Sequence, residues 1–114
     1  MDTALSTITV RHTPDAHRYE LLDGETVIGT SRYVPFAESA GPQRVFFHTE
    51  VDERYAGRGL GARLVTFALA DTTDAGMRVV PVCPYVRAVL LRHPELAADA
   101  VPVRPEHLGA LRVD

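Results

Sequence analysis

Arg54-Tyr55-Ala56-Gly57-Arg58-Gly59-Leu60-Gly61 separates two stretches whose apolar residues follow different periods. Before it, Arg44–Val51 (RVFFHTEV) is a β-branched and aromatic run that reads as a strand. After it, Leu60, Leu64, Val65, Phe67, Ala68 and Leu69 recur at helical spacing while Arg58, Arg63 and Thr66 take other positions, which predicts an amphipathic helix over Gly59–Thr73 closed by Gly76. A glycine loop joining a strand to a helix gathers the unpaired N–H groups and the positive dipole end of the helix at one point. Its three glycines let a ligand approach the backbone without Cβ clashes. Phosphate oxygens fit such a place, and Arg54 and Arg58 are placed to add charge-assisted hydrogen bonds.

Upstream, Thr7–Arg11 (TITVR), Arg18–Leu22 (RYELL) and Thr26–Val34 (TVIGTSRYV) are β-prone, and Asp23-Gly24 marks a hairpin turn. Pro35 to Pro42 is rich in breakers and leads into Arg44–Val51, so an antiparallel meander of three or four strands is expected. Downstream, Met77–Val82 (MRVVPV) reads as a buried strand, in which Pro81 cannot donate a ladder hydrogen bond and so marks an end or a bulge. Cys83 follows at the strand end, and Pro84 suits the first turn of a second helix, Tyr85–Arg92, stopped by His93-Pro94. The tail adds a short helix at Glu106–Leu111. This order describes an α/β domain: an antiparallel β-meander, then strand, glycine loop, helix, strand and helix, with a right-handed crossover between parallel neighbours.

The chain has 114 residues, 46% of them hydrophobic, which fits one domain over residues 1–114. Its net charge is −3, and all 12 cationic side chains are arginines scattered from Arg11 to Arg112, a poor match to a nucleic-acid backbone. Without lysine the glycine segment cannot be a P-loop of the usual form, and its glycine spacing differs from the dinucleotide fingerprint. Cys83 is the single cysteine, so there is no intrachain disulfide and no zinc spacing; His12, His17 and His107 are too isolated to read as metal ligands. No apolar run approaches the ~18 residues of a membrane span, and Met1–Val10 lacks an export pattern. A cytoplasmic protein that is a monomer or weak homodimer, with no metal, nucleic-acid or membrane partner, is expected.

Arg54-x-x-Gly57-x-Gly59, preceded by a strand ending at Val51 and followed by Leu60-Gly61 opening a helix, resembles the acetyl-CoA pyrophosphate loop of the GNAT superfamily of N-acetyltransferases. With His48-Thr49-Glu50-Val51, Val80-Pro81-Val82-Cys83-Pro84-Tyr85 and Arg92-His93-Pro94-Glu95, the chain resembles minimal single-domain GNAT proteins of the YjdJ type, most strongly over residues 18–96. The resemblance implies a GNAT-like fold with splayed central strands, Arg44–Val51 and Met77–Val82, that admit the pantetheine arm of acetyl-CoA between them. His48, Thr49, Glu50 and Val51 would then meet the pantetheine and thioester. Arg54, Tyr55, Ala56, Gly57, Arg58, Gly59, Leu60, Gly61 and Ala62 would hold the pyrophosphate, with Cys83 near the acetyl group. Arg87 and Arg92 either reach the cofactor or cover its solvated side.

Acetyl transfer to an amine needs a deprotonated nucleophile, an oxyanion donor and an acid for the leaving thiolate. Many GNAT enzymes place a tyrosine in the last helix as that acid. Here the corresponding stretch reads Val89-Leu90-Leu91-Arg92, and Tyr85 stands only at the helix start. Cys83, just ahead of a helix N-terminus, is the alternative, as acid or as transient acetyl carrier; the other reading is a small buried hydrophobe. His48 and Glu50 share one strand face, and either is a candidate base acting through water. His48 also reads as a hydrogen-bonded structural histidine, Glu50 as a solvent-facing carboxylate, and His93 as a helix C-terminal cap. The helices that wall the acceptor pocket of larger relatives are missing, only Asp23-Gly24-Glu25 separating two early strands. Three readings follow: an acetyl-CoA-dependent N-acetyltransferase with an unknown amine acceptor, a CoA or acyl-CoA binding module with little turnover, and a partner-binding domain whose glycine loop is structural.

Overall fold

Five strands form one sheet in the order β1-β2-β3-β4-β5. They are β1 (Ile8–Thr13), β2 (Arg18–Asp23), β3 (Thr26–Phe36), β4 (Gln43–Val51) and β5 (Arg78–Pro81). The computed structural model describes residues 7–112, so both ends of the domain expected over 1–114 lie outside the described residues. The first four strands are an antiparallel meander, and β4 and β5 are parallel neighbours. The hairpin at Asp23-Gly24 forms as expected, with Asp23 opposite Thr26 and Gly24 at φ 61, a left-handed conformation that glycine adopts without Cβ strain. Between β1 and β2 stands only a single 3-10 turn, Pro14–Ala16.

Three strands depart most from the sequence reading. β1 runs on to Thr13, and β3 continues through Pro35 to Phe36, which pair with Arg44 and Gln43. β5 has four residues rather than the six of Met77–Val82, because its ladder with β4 stops at Pro81. Two register shifts reorient side chains. One places Ile28 as an extra residue of β3 opposite Leu21 and Leu22; the other leaves Phe47 extra in β4 opposite Arg32 and Tyr33. The second shift resets the alternation of β4. Phe46 and Val51 therefore both face the helices, with Thr49 beside them, while His48 and Glu50 point to the opposite face.

The glycine loop opens α1 (Leu60–Asp74), followed after β5 by α2 (Pro84–Arg92), a 3-10 segment at Pro94–Asp99 and α3 (Pro105–Ala110). The buried stripe of α1, Leu64, Val65, Ala68 and Leu69, packs on Tyr19, Leu21, Tyr33 and Phe46 of the sheet. At its far end the interior is polar and paired. Arg44 donates to the Tyr19 hydroxyl (2.6 Å) and to Thr72 Oγ1 (3.1 Å), Tyr19 donates to Asp71 (2.6 Å), and the Arg44 guanidinium lies 4.8 Å from the Tyr33 ring centre. Burial first, and then the Asp71 hydrogen bond, push the Tyr19 hydroxyl pKa upward. No helix among the described residues is long and apolar enough to cross a membrane.

The tail crosses the sheet edge. Ala100 bridges Val79, the Val101 N–H donates to the Val79 carbonyl (2.9 Å), and α3 then reaches β3. Fully buried His107 fastens it: Nδ1 accepts from the Arg104 N–H (3.0 Å), which leaves the proton on Nε2 to be donated to Gln43 Oε1 (2.8 Å). A second proton would have to sit on Nδ1, against the Arg104 N–H. Burial, helped by the charge of Arg104, accordingly lowers the His107 pKa. The unfolded chain then takes up this proton at higher pH than the folded one. Stability should be level above about pH 6.5 and decline as pH falls below it. Urea midpoints at about pH 7.5 and about pH 5.5 should show the decline in the wild type and a smaller one in His107→Gln, the remainder reflecting His12, whose pKa is also lowered.

Candidate functional site

β4 and β5 part at one residue. Their register ends at Phe46 opposite Pro81, and the N–H groups of Val82 (3.1 Å) and Cys83 (2.8 Å) both turn to the Phe46 carbonyl. Beyond that point β4 is paired only with β3. The Asp52 N–H donates to Ile28 O (2.7 Å), so by alternation the peptide groups of Val51 and Thr49 point to the edge that β5 has left. The central strands thus splay as the family resemblance implies.

The loop after β4 is locked from both sides. Asp52 accepts from the Arg54 N–H (2.9 Å) and pairs with its guanidinium through Nε (3.1 Å) and Nη2 (2.8 Å). The side-chain bond from Arg54, and then the backbone one, hold the Asp52 pKa at about 2. Tyr55 donates its hydroxyl to Asp23 (2.5 Å) on the β2–β3 hairpin, and the Arg58 guanidinium lies 5.2 Å from the Tyr55 ring centre. Gly57 (φ 80) and Gly59 (φ 71) are left-handed with open space where a Cβ would stand. Gly59 is the N-cap of α1, so no side chain covers the free N–H groups of the first turn.

Between the free edge of β4 and the start of α1 lies a groove of about 370 Å³. Thr49, Glu50, Val51, Tyr55, Ala56, Gly57, Gly59, Leu60, Gly61 and Tyr85 line it. Tyr85, in the first turn of α2, lays its ring on Gly61, where any Cβ would strike the hydroxyl end of the ring. At the inner end Cys83, 3% exposed and packed with the core, places Sγ 3.6 Å from Thr49 Oγ1, which in turn bonds Ser31 Oγ at 3.0 Å.

Most of the residues singled out from the sequence therefore meet at this groove. Others lie beside it. His48 is on the opposite sheet face, half exposed and 3.1 Å from Glu50. Arg54 and Arg58 line a neighbouring hollow with Asp23 and Tyr55. Ala62 opens on a recess with Tyr85, Ala88 and Arg92, and Arg87 stands exposed on α2. His93 caps α2 through its N–H to Val89 O and pairs with Glu95 at 3.4 Å. The roles of Ser31 and Asp23 are absent from the sequence reading. Ser31 meets Thr49 only through the strand register, and Asp23 carried no signal beyond its turn.

A family model described as GCN5-related N-acetyl-transferase matches residues 18–100. Among solved structures, an integron cassette protein from the mobile metagenome of Cole Harbour Salt Marsh is similar at 20% identity and a TM-score of 0.56, over 72% of this chain and 54% of that one. An aminoglycoside acetyltransferase from an uncultured soil metagenomic sample, solved with trehalose and also with sisomicin, is similar at 17% identity and a TM-score of 0.53, over 71% of this chain and 55% of that one. The chain thus spans little more than half the length of these structures, and the likeness is one of fold. No curated protein sequence matches it.

The Gly61–Tyr85 contact makes a testable pair. Gly61→Ala should realise less than the roughly 1 kcal/mol that alanine gains over glycine in a helix, because the half-exposed Tyr85 ring must first swing aside. In a Tyr85→Ala background the same change should realise that gain in full, since alanine suits a helix better than glycine. Thermal denaturation of the four proteins measures that coupling.

Proposed function

Because the chain belongs to the GCN5-related N-acetyltransferase family, we propose that it uses acetyl-CoA to acetylate an amine, with the groove beside β4 as the cofactor site. The observation that carries this reading is the parting of β4 from β5 at Phe46, directly beside an uncapped helix N-terminus. The residues present fit the cofactor. Gly57 and Gly59 leave their backbone bare for phosphate oxygens, and the first turn of α1 offers N–H donors. The free peptide groups of Thr49 and Val51 suit the amides of the pantetheine arm, which would lie along β4 as a substitute strand. Arg58 is the better placed cation, because Arg54 is held by Asp52.

Bound acetyl-CoA would supply the activated acyl group. Around it, the Cys83 thiol, 3.6 Å behind the groove-lining Thr49, would give a proton to the departing sulfur, and Thr49, bonded to Ser31, holds the Cys83 side chain in place. Glu50 borders the groove, but its carboxylate stands beside His48 on the other sheet face, so as a base it would take the proton of the incoming amine through water around the free edge of β4. A second reading, a CoA-binding module with little turnover, is favoured by the burial of Cys83 in the core and by Tyr85 packing on Gly61 rather than reaching the inner end.

Calorimetry with acetyl-CoA and chromatographic detection of free CoA decide between them. Gly59→Glu should weaken acetyl-CoA binding by at least about tenfold, through left-handed strain and charge repulsion. Cys83→Ala should keep the affinity and lower turnover by about a hundredfold or more. Binding without CoA release for any amine would establish the module; no binding at all would reject both.

A further inference from the structure

The open face of the sheet carries a second groove, of about 410 Å³, that shares Glu50 and Val51 with the first. Across this face Glu20, Thr30 and Glu50 stand in one row on β2, β3 and β4. Glu20 is fully engaged, accepting from Arg11 (2.8 Å), Arg18 (2.7 Å) and Thr13 (3.1 Å). Thr30 is different. It lines the groove at 7% exposure, and its hydroxyl is buried with no hydrogen-bond partner among the described residues. A buried hydroxyl without a partner is costly and uncommon, so a group that completes it is to be sought.

The surroundings define that group. Glu50, Asp52 and Glu53 line the same groove. Asp52 is occupied by Arg54 and Glu50 touches His48, whereas Glu53 has no ion-pair partner among the described residues. Val27, 42% exposed, adds apolar surface. Carboxylates and a hydroxyl call for a cation bearing several N–H donors, and the apolar strip for methylenes attached to it. A metal ion fits less well, since no group of three or more His, Cys, Asp or Glu among the described residues is arranged to hold one.

We propose that this groove binds the distal ammonium of a small acceptor carrying two or more amino groups, so that its near amine reaches the acetyl groove across Glu50. The proposal rests on the acetyl-transfer reading. The near nitrogen, uncharged, bonds to the thioester carbonyl carbon, the carbon–sulfur bond breaks, and the proton lost by nitrogen balances the one taken up by the CoA sulfur. The distal nitrogen stays protonated throughout.

The test uses the full chain, 1,5-diaminopentane and, as control, 1-aminopentane. Binding is followed by calorimetry with and without CoA, and acetylation by CoA release. The diamine should bind at least about fivefold more tightly than the monoamine, and Glu53→Gln and Thr30→Val should each erase most of that preference. Thr30→Val should leave the melting temperature unchanged or higher, since it removes an unpaired buried hydroxyl, and neither variant should alter CoA affinity. Equal binding of the two amines, or a preference indifferent to Glu53→Gln, would overturn the proposal. If CoA binds and monoamines are acetylated as fast as diamines, this inference fails while acetyl transfer stands. If the diamine preference appears with both variant effects but acetyl-CoA is never consumed, the groove stands and the transferase reading fails.

Discussion

A single carbonyl marks the place where the two central strands stop pairing and part. Phe46 O accepts from both Val82 and Cys83 and closes the β4–β5 ladder. The next residue, Phe47, is the extra one in β4, and Pro81, opposite Phe46 on the ladder's last rung, has no N–H to give. These events coincide within one residue step. Were the ladder to continue, the backbone of Thr49 and Val51 would be consumed by β5 and no groove would exist. Were it to end earlier, Cys83 would lose the anchor that puts it beside Thr49.

Rigidity on either side of this point keeps the gap open. At the distal end, Arg44, Tyr19, Asp71 and Thr72 tie β2, β4 and the last turns of α1 into one paired network. At the proximal end, Asp23 receives Tyr55 and Asp52 receives Arg54, so the loop is braced against the β2–β3 hairpin before α1 begins. The loop glycines take left-handed conformations within this braced segment.

Much of this was legible in the chain. Periodicity identified the meander, the helix after the glycine loop and the parallel strand that follows, because those signals are local. Pro81 marked the end of β5 for the same reason: a missing N–H is a property of one residue. What escaped depended on register. Strict alternation along β4 puts His48 and Glu50 on one face but cannot reveal that Phe46 joins Thr49 and Val51 on the other, since that follows from the bulge at Phe47. The pairing of Ser31 with Thr49, and the row from Glu20 through Thr30 to Glu50, are likewise consequences of where neighbouring strands slip past one another. His107 looked isolated in the sequence for a similar reason: Gln43, which receives its proton, is 64 positions away along the chain.

The course of the tail bears on how the sheet avoids unwanted company. By laying Ala100 and Val101 along Val79 and then crossing to β3, the chain covers the outer margin of β5 with its own backbone. Bare strand margins are templates on which another chain can add itself, and natural sheets shield or charge them. Here the β5 margin is shielded, and the β1 margin carries Arg11 and His12, each engaged with a side chain inward of it. The unpaired stretch at Thr49 and Val51 faces the groove between β4 and the start of α1. Strand backbone that would invite another strand if it lay on an outer margin is here turned toward a groove walled by the protein's own helix.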